Sequence, residues 1–123
     1  MLRIGVDAVT ISDMRRLLDV SPKLLPARGW TPREQFWCDG RADRYAARWA
    51  AKEATMKALG HGLDRIDPHE VEVVSTDGAA PDLLLHGEAA AVATAHGITR
   101  WAVSLTHDND LALAFVIGYG TDE

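Results

Sequence analysis

The chain has 123 residues, a length that allows one domain with a modest core. Apolar residues make up 47% and charged residues 25%, which is the composition of a globular protein and excludes wholesale disorder. The net charge of −5 argues against a nucleic-acid-binding protein, which would carry a basic surplus, but it leaves room for a local cationic pocket.

No targeting segment or membrane span is expected. The first residues, MLRIGVDAVTI, lack the long apolar run and the cleavage site of a signal peptide. No stretch approaches the ~20 apolar residues of a transmembrane helix. The single cysteine, Cys38, excludes a disulfide within the chain, and its apolar neighbours predict a buried, unreactive thiol. We therefore expect a cytoplasmic protein without a membrane partner.

The chain begins with a predicted strand and a predicted helix. Residues 2–9 are rich in β-branched side chains and predict a strand. Residues 12–20 carry the apolar spacing of a short helix. Residues 21–30 contain two prolines and a glycine, so this segment is predicted to be mostly loop.

Two further helices are predicted next. Residues 31–40 predict a short helix with Thr31 at its N-cap and Glu34 at its third position, the pattern of a capping box. Residues 42–60 predict a long helix that ends at a glycine.

The remainder of the chain is predicted to be mostly strand. Segments 69–76 and 82–86 predict short strands, and 87–97 predicts an alanine-rich helix. Segments 100–108 and 111–119 predict a hairpin with the polar tip HDND. The order β-α-α-α-β-β-α-β-β indicates a single α+β domain over residues 1–123, with a mainly antiparallel sheet packed against the long helix.

Asp7 lies in the apolar run IGVDAV, where an unpaired carboxylate would be costly to bury. It either caps the following helix or binds a metal, and the second role needs another acid nearby. Glu53 is the candidate, because the alanines around it would let a strand or a ligand approach the long helix closely. Two carboxylates without a His/Cys cluster suit a hard cation such as Mg²⁺, whose remaining ligands are water and substrate phosphates.

The long helix carries an unusual arrangement of cations. Arg48 and Lys52 are four residues apart, where like charges repel, whereas Glu53 and Lys57 have the favourable acid-before-base order. Two cations about 40° apart on one stripe beside a carboxylate would suit a diphosphate. A solvated helix with a chance Arg–Lys pair explains the spacing equally well.

His107 follows a strand-forming run, where it could contact a phosphate or move a proton, although a structural role is the alternative. The other four histidines are expected at the ends of elements, on the surface. The sequence contains no Ser-His-Asp order, P-loop or CxxC pair, so it gives no direct support to a hydrolase triad, a nucleotide kinase or a zinc site.

Three blocks carry a family resemblance: IGVDAVTI, RWAAKEATMKALGHGL and VSLTHDNDLALAFVI. In order and spacing they resemble the signature blocks of the holo-[acyl-carrier-protein] synthase family, and DGAAPDLLLHGEAA adds a matching G-x-x-P pattern. The resemblance implies the 4′-phosphopantetheinyl transferase fold. It also implies Mg²⁺-dependent transfer of the phosphopantetheine arm of coenzyme A (CoA) to a serine of an apo acyl carrier protein, with release of 3′,5′-ADP.

The resemblance also assigns roles to individual residues. Asp7 and Glu53 would bind Mg²⁺, and Lys57 would contact the reacting phosphate, so these three residues are the expected catalytic group. The expected CoA-binding residues are Arg48, Lys52, Pro81, Ser104 and His107, of which the last two would hold the nucleotide end. We favour Glu53, acting through a metal-bound water, as the general base, with Asp7 or bulk water as alternatives.

The small members of this family are trimers that hold CoA between subunits, so the resemblance implies a homotrimer. One departure concerns Asp13, which stands on the first helix where the family usually has an arginine that faces the carrier protein. Arg15 and Arg16 follow closely and are candidates to replace it, and we expect an altered or narrower choice of carrier. The loop after Gly60 is rich in acids and histidines, so the pocket wall there is expected to differ.

Two other functions compete with the transferase. One is a CoA- or carrier-binding protein without turnover, which Asp13 favours and the intact set of Asp7, Glu53 and Lys57 opposes. The other is a Mg²⁺-dependent phosphohydrolase on an unrelated α+β fold. It would explain the acids and the cations, but not His107 or the match across all three blocks.

Overall fold

The computed structural model describes residues 1–120, which form five strands, five α-helices and one 3₁₀ turn. The strands are β1 Leu2–Thr10, β2 Val71–Val74, β3 Asp82–Leu85, β4 Arg100–Asp108 and β5 Leu111–Tyr119. The helices are α1 Ile11–Val20, α2 Leu24–Gly29, α3 Pro32–Cys38, α4 Ala42–Leu59 and α5 Gly87–Ala95, and the 3₁₀ turn is Pro68–Glu70.

The strands form two antiparallel sheets. The larger has the order β1-β5-β4, and its register places Asp7 opposite Ala114 and Ala114 opposite Leu105. Strands β2 and β3 form a separate antiparallel pair. Helix α4 packs on β1 and β5, and the buried residues between these elements form much of the core. The predicted α+β class, with an antiparallel sheet against a long helix, is confirmed.

Strand β1 lies directly on the backbone of α4. A Cβ atom added to Gly5 would overlap the Ala54 carbonyl oxygen. Ala50, Ala51 and Ala54 have no exposed surface. The small side chains of α4 therefore admit a strand, and this close approach brings Asp7 to the last turns of α4.

The start of α3 and the end of α4 follow the predicted capping pattern. In α3, Thr31 Oγ1 accepts a hydrogen bond from the Glu34 backbone N–H (3.1 Å), while Glu34 Oε1 accepts one from the Thr31 N–H (2.9 Å). Helix α4 ends where Gly60 adopts a φ of 79°, a left-handed conformation that glycine takes at little cost.

The prediction of a loop over residues 21–30 is wrong, because α2 occupies most of it. Pro26 lies in the first turn of α2, where the missing N–H would have no partner within the helix. The predicted strand at 69–76 starts later, since the 3₁₀ turn precedes β2. The tip of the final hairpin is also shorter than HDND: only Asn109 and Asp110 separate β4 from β5, and His107 lies within β4, opposite Ala112.

Candidate active site

An ion pair joins β1 to the last turn of α4. Lys57 Nζ donates hydrogen bonds to Asp7 Oδ1 (2.8 Å) and to the Val6 carbonyl oxygen (3.2 Å). The Asp7 side chain is mostly buried, whereas more than half of the Lys57 side chain is exposed. The hydrogen bond and the charge of Asp7 raise the pKa of Lys57, so this ammonium stays protonated at neutral pH.

Glu53 lies one turn before Lys57 and is half-buried. Burial raises the pKa of Glu53, the nearby negative charge of Asp7 raises it further, and Lys57 opposes both effects. Asp7 is therefore close enough to Glu53 to influence its ionisation. Glu53 is thus the second acid that a metal-binding role of Asp7 requires.

The chemistry of these donors fits a hard divalent cation. Burial is the main cause of the raised pKa of Glu53, and repulsion by Asp7 adds to it; a cation between the two carboxylates would relieve that repulsion. Mg²⁺ is typically held by one or two protein carboxylates, with water and substrate phosphates as the other ligands. Within residues 1–120 no group of three or more His, Cys, Asp or Glu side chains is placed to hold a metal. The pair Asp7 and Glu53 thus suits a site that a phosphorylated ligand completes.

An open cleft of about 240 Å³ adjoins this cluster, and we call it the carboxylate cleft. It is lined by Glu53, Met56, Lys57, Gly60, His61 and Gly62. The sequence predicts only a plain surface role for His61. His61 follows Lys57 by four residues and Glu53 by eight, so it continues the helix face that carries them by one more turn. Gly60, which ends α4, hides this pattern in the sequence.

The structure contradicts a CoA-binding role for Lys52. This side chain has no exposed surface, and its Nζ donates to Glu34 Oε1 (2.8 Å) and to the carbonyl oxygens of Pro68 (2.8 Å) and Val71 (2.7 Å). Burial lowers the pKa of Lys52 and the charge of Glu34 opposes that shift. With all three ammonium hydrogens used inside the protein, Lys52 joins α4 to α3 and β2 and cannot reach a phosphate.

Arg48 lies one turn away from Lys52 and is nearly buried, at 9% exposure. Its Nη2 donates to Ser75 Oγ (2.8 Å) and its Nη1 to the Arg44 carbonyl oxygen (3.3 Å). Its Nε–H has no hydrogen-bond partner among the described residues. Arg48 and His107 together line a second cleft of about 250 Å³, which we call the cationic cleft because Arg41 and Arg44 also line it.

The two clefts lie at opposite edges of the larger sheet. Asp7 is on the edge strand β1 and His107 on the other edge strand, β4, with β5 between them. Because neighbouring strands are ~4.8 Å apart, these two residues are separated by roughly 10 Å or more. Within one chain the structure does not bring the predicted nucleotide-binding residues to the predicted metal ligands.

Two other predicted CoA-binding residues lie outside both clefts. Ser104 is exposed on the outer face of the sheet, opposite Phe115, whereas the cationic cleft is lined by the three residues that follow Ser104. Pro81 precedes β3 in the loop that joins the two short strands. Their roles remain predictions.

Three other findings concern the thiol of Cys38, the first helix and membrane-spanning helices. Cys38 has no exposed surface, so the predicted burial of the thiol is confirmed, and this burial raises its pKa to about 12. Asp13 forms an exposed ion pair with Arg16 on α1. Among residues 1–120, no helix combines the length and the apolar character needed to cross a membrane.

The sequence comparisons identify one family. The sequence model of the 4′-phosphopantetheinyl transferase superfamily (ACPS) matches residues 3–116. The chain is 41% identical to a holo-[acyl-carrier-protein] synthase of Desulforudis audaxviator over 126 residues, covering 100% of this chain and 96% of the relative. It is 42% identical to that of Geobacter sulfurreducens, covering 92% and 93%.

Solved structures agree with the sequence comparisons. A synthase–CoA complex from Chronobacterium ammoniagenes superimposes with a TM-score of 0.85 at 27% identity, and the match covers 98% of each chain. The holo-[acyl-carrier-protein] synthase of Helicobacter pylori in complex with coenzyme A superimposes with a TM-score of 0.84 at 25% identity, covering 94% of this chain and 99% of that one.

Proposed function

Because the chain belongs to the holo-[acyl-carrier-protein] synthase family of the 4′-phosphopantetheinyl transferase superfamily, we propose that it moves the 4′-phosphopantetheine group of CoA to a serine of an apo acyl carrier protein and releases 3′,5′-ADP. The observation that carries this proposal is the cluster of Asp7, Glu53 and Lys57 beside an open cleft. A pure binding protein would have no need of two carboxylates that raise each other's energy next to an exposed ammonium.

We propose Asp7 and Glu53 as the ligands of a Mg²⁺ ion. When bound, this ion would neutralise the diphosphate of CoA and the charge that develops on the leaving 3′,5′-ADP. Lys57 provides a second positive charge in the same cleft. Because its side chain is mostly exposed, Lys57 can exchange its bond with Asp7 for one with a phosphate oxygen without leaving the cleft.

The serine hydroxyl of the carrier must lose a proton as it attacks phosphorus. We propose that Glu53 accepts this proton, because its carboxylate lines the open cleft next to Lys57, where the hydroxyl group and the diphosphate would meet. The site must also align the serine hydroxyl with the diphosphate and exclude other acceptors of the phosphopantetheine group, such as water.

The nucleotide end of CoA is assigned to the cationic cleft. Arg48 and His107 line it together, and the buried Nε–H of Arg48 has no partner among the described residues, so this arginine retains one donor. Asp43 also lines this cleft and pairs with Arg41, so Arg44 and Arg48 are the cations that suit the phosphate of an adenine nucleotide. Lys52, which is buried elsewhere, is not part of this assignment.

The position of the two clefts supports a site made by two copies of the chain. One CoA molecule would reach the carboxylate cleft of one copy and the cationic cleft of its neighbour. The outer face of the larger sheet offers the contact surface, because it exposes a continuous apolar patch: Leu2, Ile4, Val6 and Phe115 are each about half exposed. A patch of this kind on a soluble chain marks an interface. We propose that three copies close around it as a homotrimer.

The carrier surface on α1 differs in charge from what the family resemblance implies. Asp13 pairs with Arg16 and neutralises it, which leaves Arg15 as the nearby exposed arginine without this partner. An acidic carrier helix would therefore meet less positive charge. We propose that the chain serves a narrower set of carriers, within the cytoplasm that its sequence predicts.

The experiment that tests this function compares initial rates of 3′,5′-ADP release for the wild type and Glu53→Gln, with CoA, Mg²⁺ and an apo carrier. We expect the substitution to lower the rate by at least about 10²-fold, the lower end of what a positioned proton acceptor contributes. Asp82→Asn, an exposed carboxylate on β3, is the matched control and should retain the rate. CoA binding without release of 3′,5′-ADP by the wild type, on any carrier, would support a binding protein instead.

A further inference from the structure

His61 is held in one orientation and one tautomer by a neighbouring arginine. Arg65 Nη1 lies 3.2 Å from His61 Nε2. A guanidinium group only donates hydrogen bonds, so Nε2 must be the acceptor and cannot carry a hydrogen. The ring is therefore neutral, with its single N–H at Nδ1, as long as Arg65 keeps this contact.

Arg65 is itself fixed from the other side. Its Nε and Nη2 both donate to Glu88 Oε1, at 2.9 and 2.6 Å. Glu88 stands in the first turn of α5, and its backbone N–H donates to Glu70 Oε2 (3.0 Å). The chain Glu88–Arg65–His61 thus links a helix end to the wall of the carboxylate cleft and fixes the histidine ring.

The place of His61 in the cleft indicates which kind of atom it meets. It lies beyond Lys57, just past the end of α4, where the last carbonyl groups form the negative end of the helix dipole. That environment disfavours a further anionic oxygen and tolerates a neutral one. A neutral N–H donor at this end of the cleft suits a carbonyl oxygen better than a phosphate.

We propose that His61 is a binding residue for the arm of the coenzyme: its Nδ1–H donates to an amide carbonyl oxygen of the pantetheine chain, and Arg65 is the residue that positions it. This inference rests on the proposed function, because it takes CoA as the ligand. With the diphosphate at Asp7 and Glu53 and the nucleotide in the cationic cleft, the arm is the part of CoA left for the end of the cleft at His61.

The test measures dissociation constants of CoA and of 3′,5′-ADP, which lacks the arm, by calorimetry with Mg²⁺ present. We expect His61→Ala to weaken CoA binding by about two- to tenfold, the range of one neutral hydrogen bond, and to leave 3′,5′-ADP binding unchanged. His61→Asn keeps a donor near the position of Nδ1 and should restore CoA affinity. His61→Gln keeps a group that Arg65 can contact but has no donor near the position of Nδ1, so its CoA affinity should stay as low as that of His61→Ala.

The positioning role of Arg65 has its own readout. The ¹⁵N spectrum of the His61 ring should show the Nδ1–H tautomer in the wild type and a mixture in Arg65→Met, which should also weaken CoA binding but not 3′,5′-ADP binding. Asp64→Ala, exposed in the same loop, is the control and should resemble the wild type in both measurements. Matching urea midpoints across the series would show that every variant is folded.

Three outcomes would overturn the inference: unchanged CoA affinity in His61→Ala, an equal loss for CoA and 3′,5′-ADP, or failure of the asparagine variant to differ from the glutamine variant. Transfer to a carrier is measured on the same wild-type sample. Normal transfer with an unaffected His61→Ala variant would reject the role of His61 and leave the proposed function intact. Arm-dependent binding without transfer would reject the function and keep the role of His61.

Discussion

The ammonium of Lys52 lies 2.8 Å from the carboxylate of Glu34, and neither residue has any exposed surface. Removal of one partner would leave the other charge buried and unpaired. We therefore expect Lys52→Met to lower the free energy of unfolding by about 3–5 kcal/mol. Urea denaturation followed by circular dichroism measures this loss.

The paired variant Lys52→Met with Glu34→Gln is the control for charge. Because it leaves no unpaired ion in the interior, it should be more stable than Lys52→Met alone. A Lys52→Met protein that is as stable as the wild type but has lost CoA affinity would contradict the structural role and restore a ligand-binding one.

The burial of Lys52 could not be predicted from the sequence. The spacing of Arg48 and Lys52 places them on one stripe of α4, and that geometry is correct. The spacing does not reveal what covers the stripe. Glu34, 18 residues away in sequence, lies on α3 and accepts a hydrogen bond from the Lys52 ammonium. Tertiary contacts of this kind leave no periodic signal in the chain.

The parts that could be predicted depend on local rules or on recognised motifs. The capping box at Thr31 and the end of α4 at Gly60 follow from neighbouring residues alone. The ion pair of Asp7 with Lys57 spans 50 residues and was not predicted: the family resemblance placed both residues in one site but gave them different partners. The orientation of His61 depends on Arg65 and Glu88 in two other segments, so the sequence did not indicate it.

Gly5 tests the close packing of β1 on α4. We expect Gly5→Ala to destabilise the protein by at least ~3 kcal/mol, the upper part of the usual range for overpacking, because the added methyl group overlaps a backbone oxygen that cannot rotate away. Thermal or urea unfolding measures the effect. Gly29→Ala is the matched control, since its added Cβ would meet only the Trp49 ring at 3.5 Å, an ordinary contact. Equal stability of the two variants would show that β1 does not lie against α4 as described.

The raised pKa of Glu53 predicts how its replacement changes stability with pH. The fold disfavours the ionised carboxylate, so Glu53 lowers stability above its folded pKa, and this effect disappears below the unfolded value near 4.5. We expect Glu53→Gln, in the absence of divalent cations, to be more stable than the wild type at pH 7 and to lose that advantage as the pH falls through the raised folded pKa toward 4.5. Unfolding midpoints across this pH range measure the difference.

Glu72 provides a comparison of opposite sign. Its burial opposes ionisation, but hydrogen bonds from Thr31 and His86 and the charge of Arg33 outweigh burial and lower its pKa. Glu72→Gln should therefore be less stable than the wild type at pH 7, with the deficit shrinking as the pH falls through the lowered pKa. A Glu53→Gln variant that behaves like Glu72→Gln would contradict the electrostatic description of the cleft.

The assembly proposal predicts complementation between inactive subunits. Glu53→Gln removes a residue of the carboxylate cleft, and Arg48→Met removes one of the cationic cleft. The two variants are co-expressed and purified as mixed assemblies. If each site uses one cleft from each of two neighbours, some sites in these assemblies combine two intact clefts, so part of the activity should return. Rates of 3′,5′-ADP release from doubly tagged assemblies measure this gain.

The control mixes Glu53→Gln with Asp7→Asn, which alter the same cleft. No site in such an assembly has an intact carboxylate pair, because every chain carries one of the two changes, so this mixture should regain no activity. A second comparison mixes the wild type with a single chain that carries both Glu53→Gln and Arg48→Met. If the activity is proportional to the fraction of wild-type chains in the mixture, each site lies within one chain.

The most direct test of the proposed transfer is the intact mass of an apo carrier protein after incubation with this chain, CoA and Mg²⁺. The proposal predicts a gain of one phosphopantetheine group per carrier, matched by one equivalent of released 3′,5′-ADP, and no gain when EDTA is present. An unchanged mass across a panel of fatty-acid and polyketide carriers, with CoA bound by the chain, would contradict the proposal.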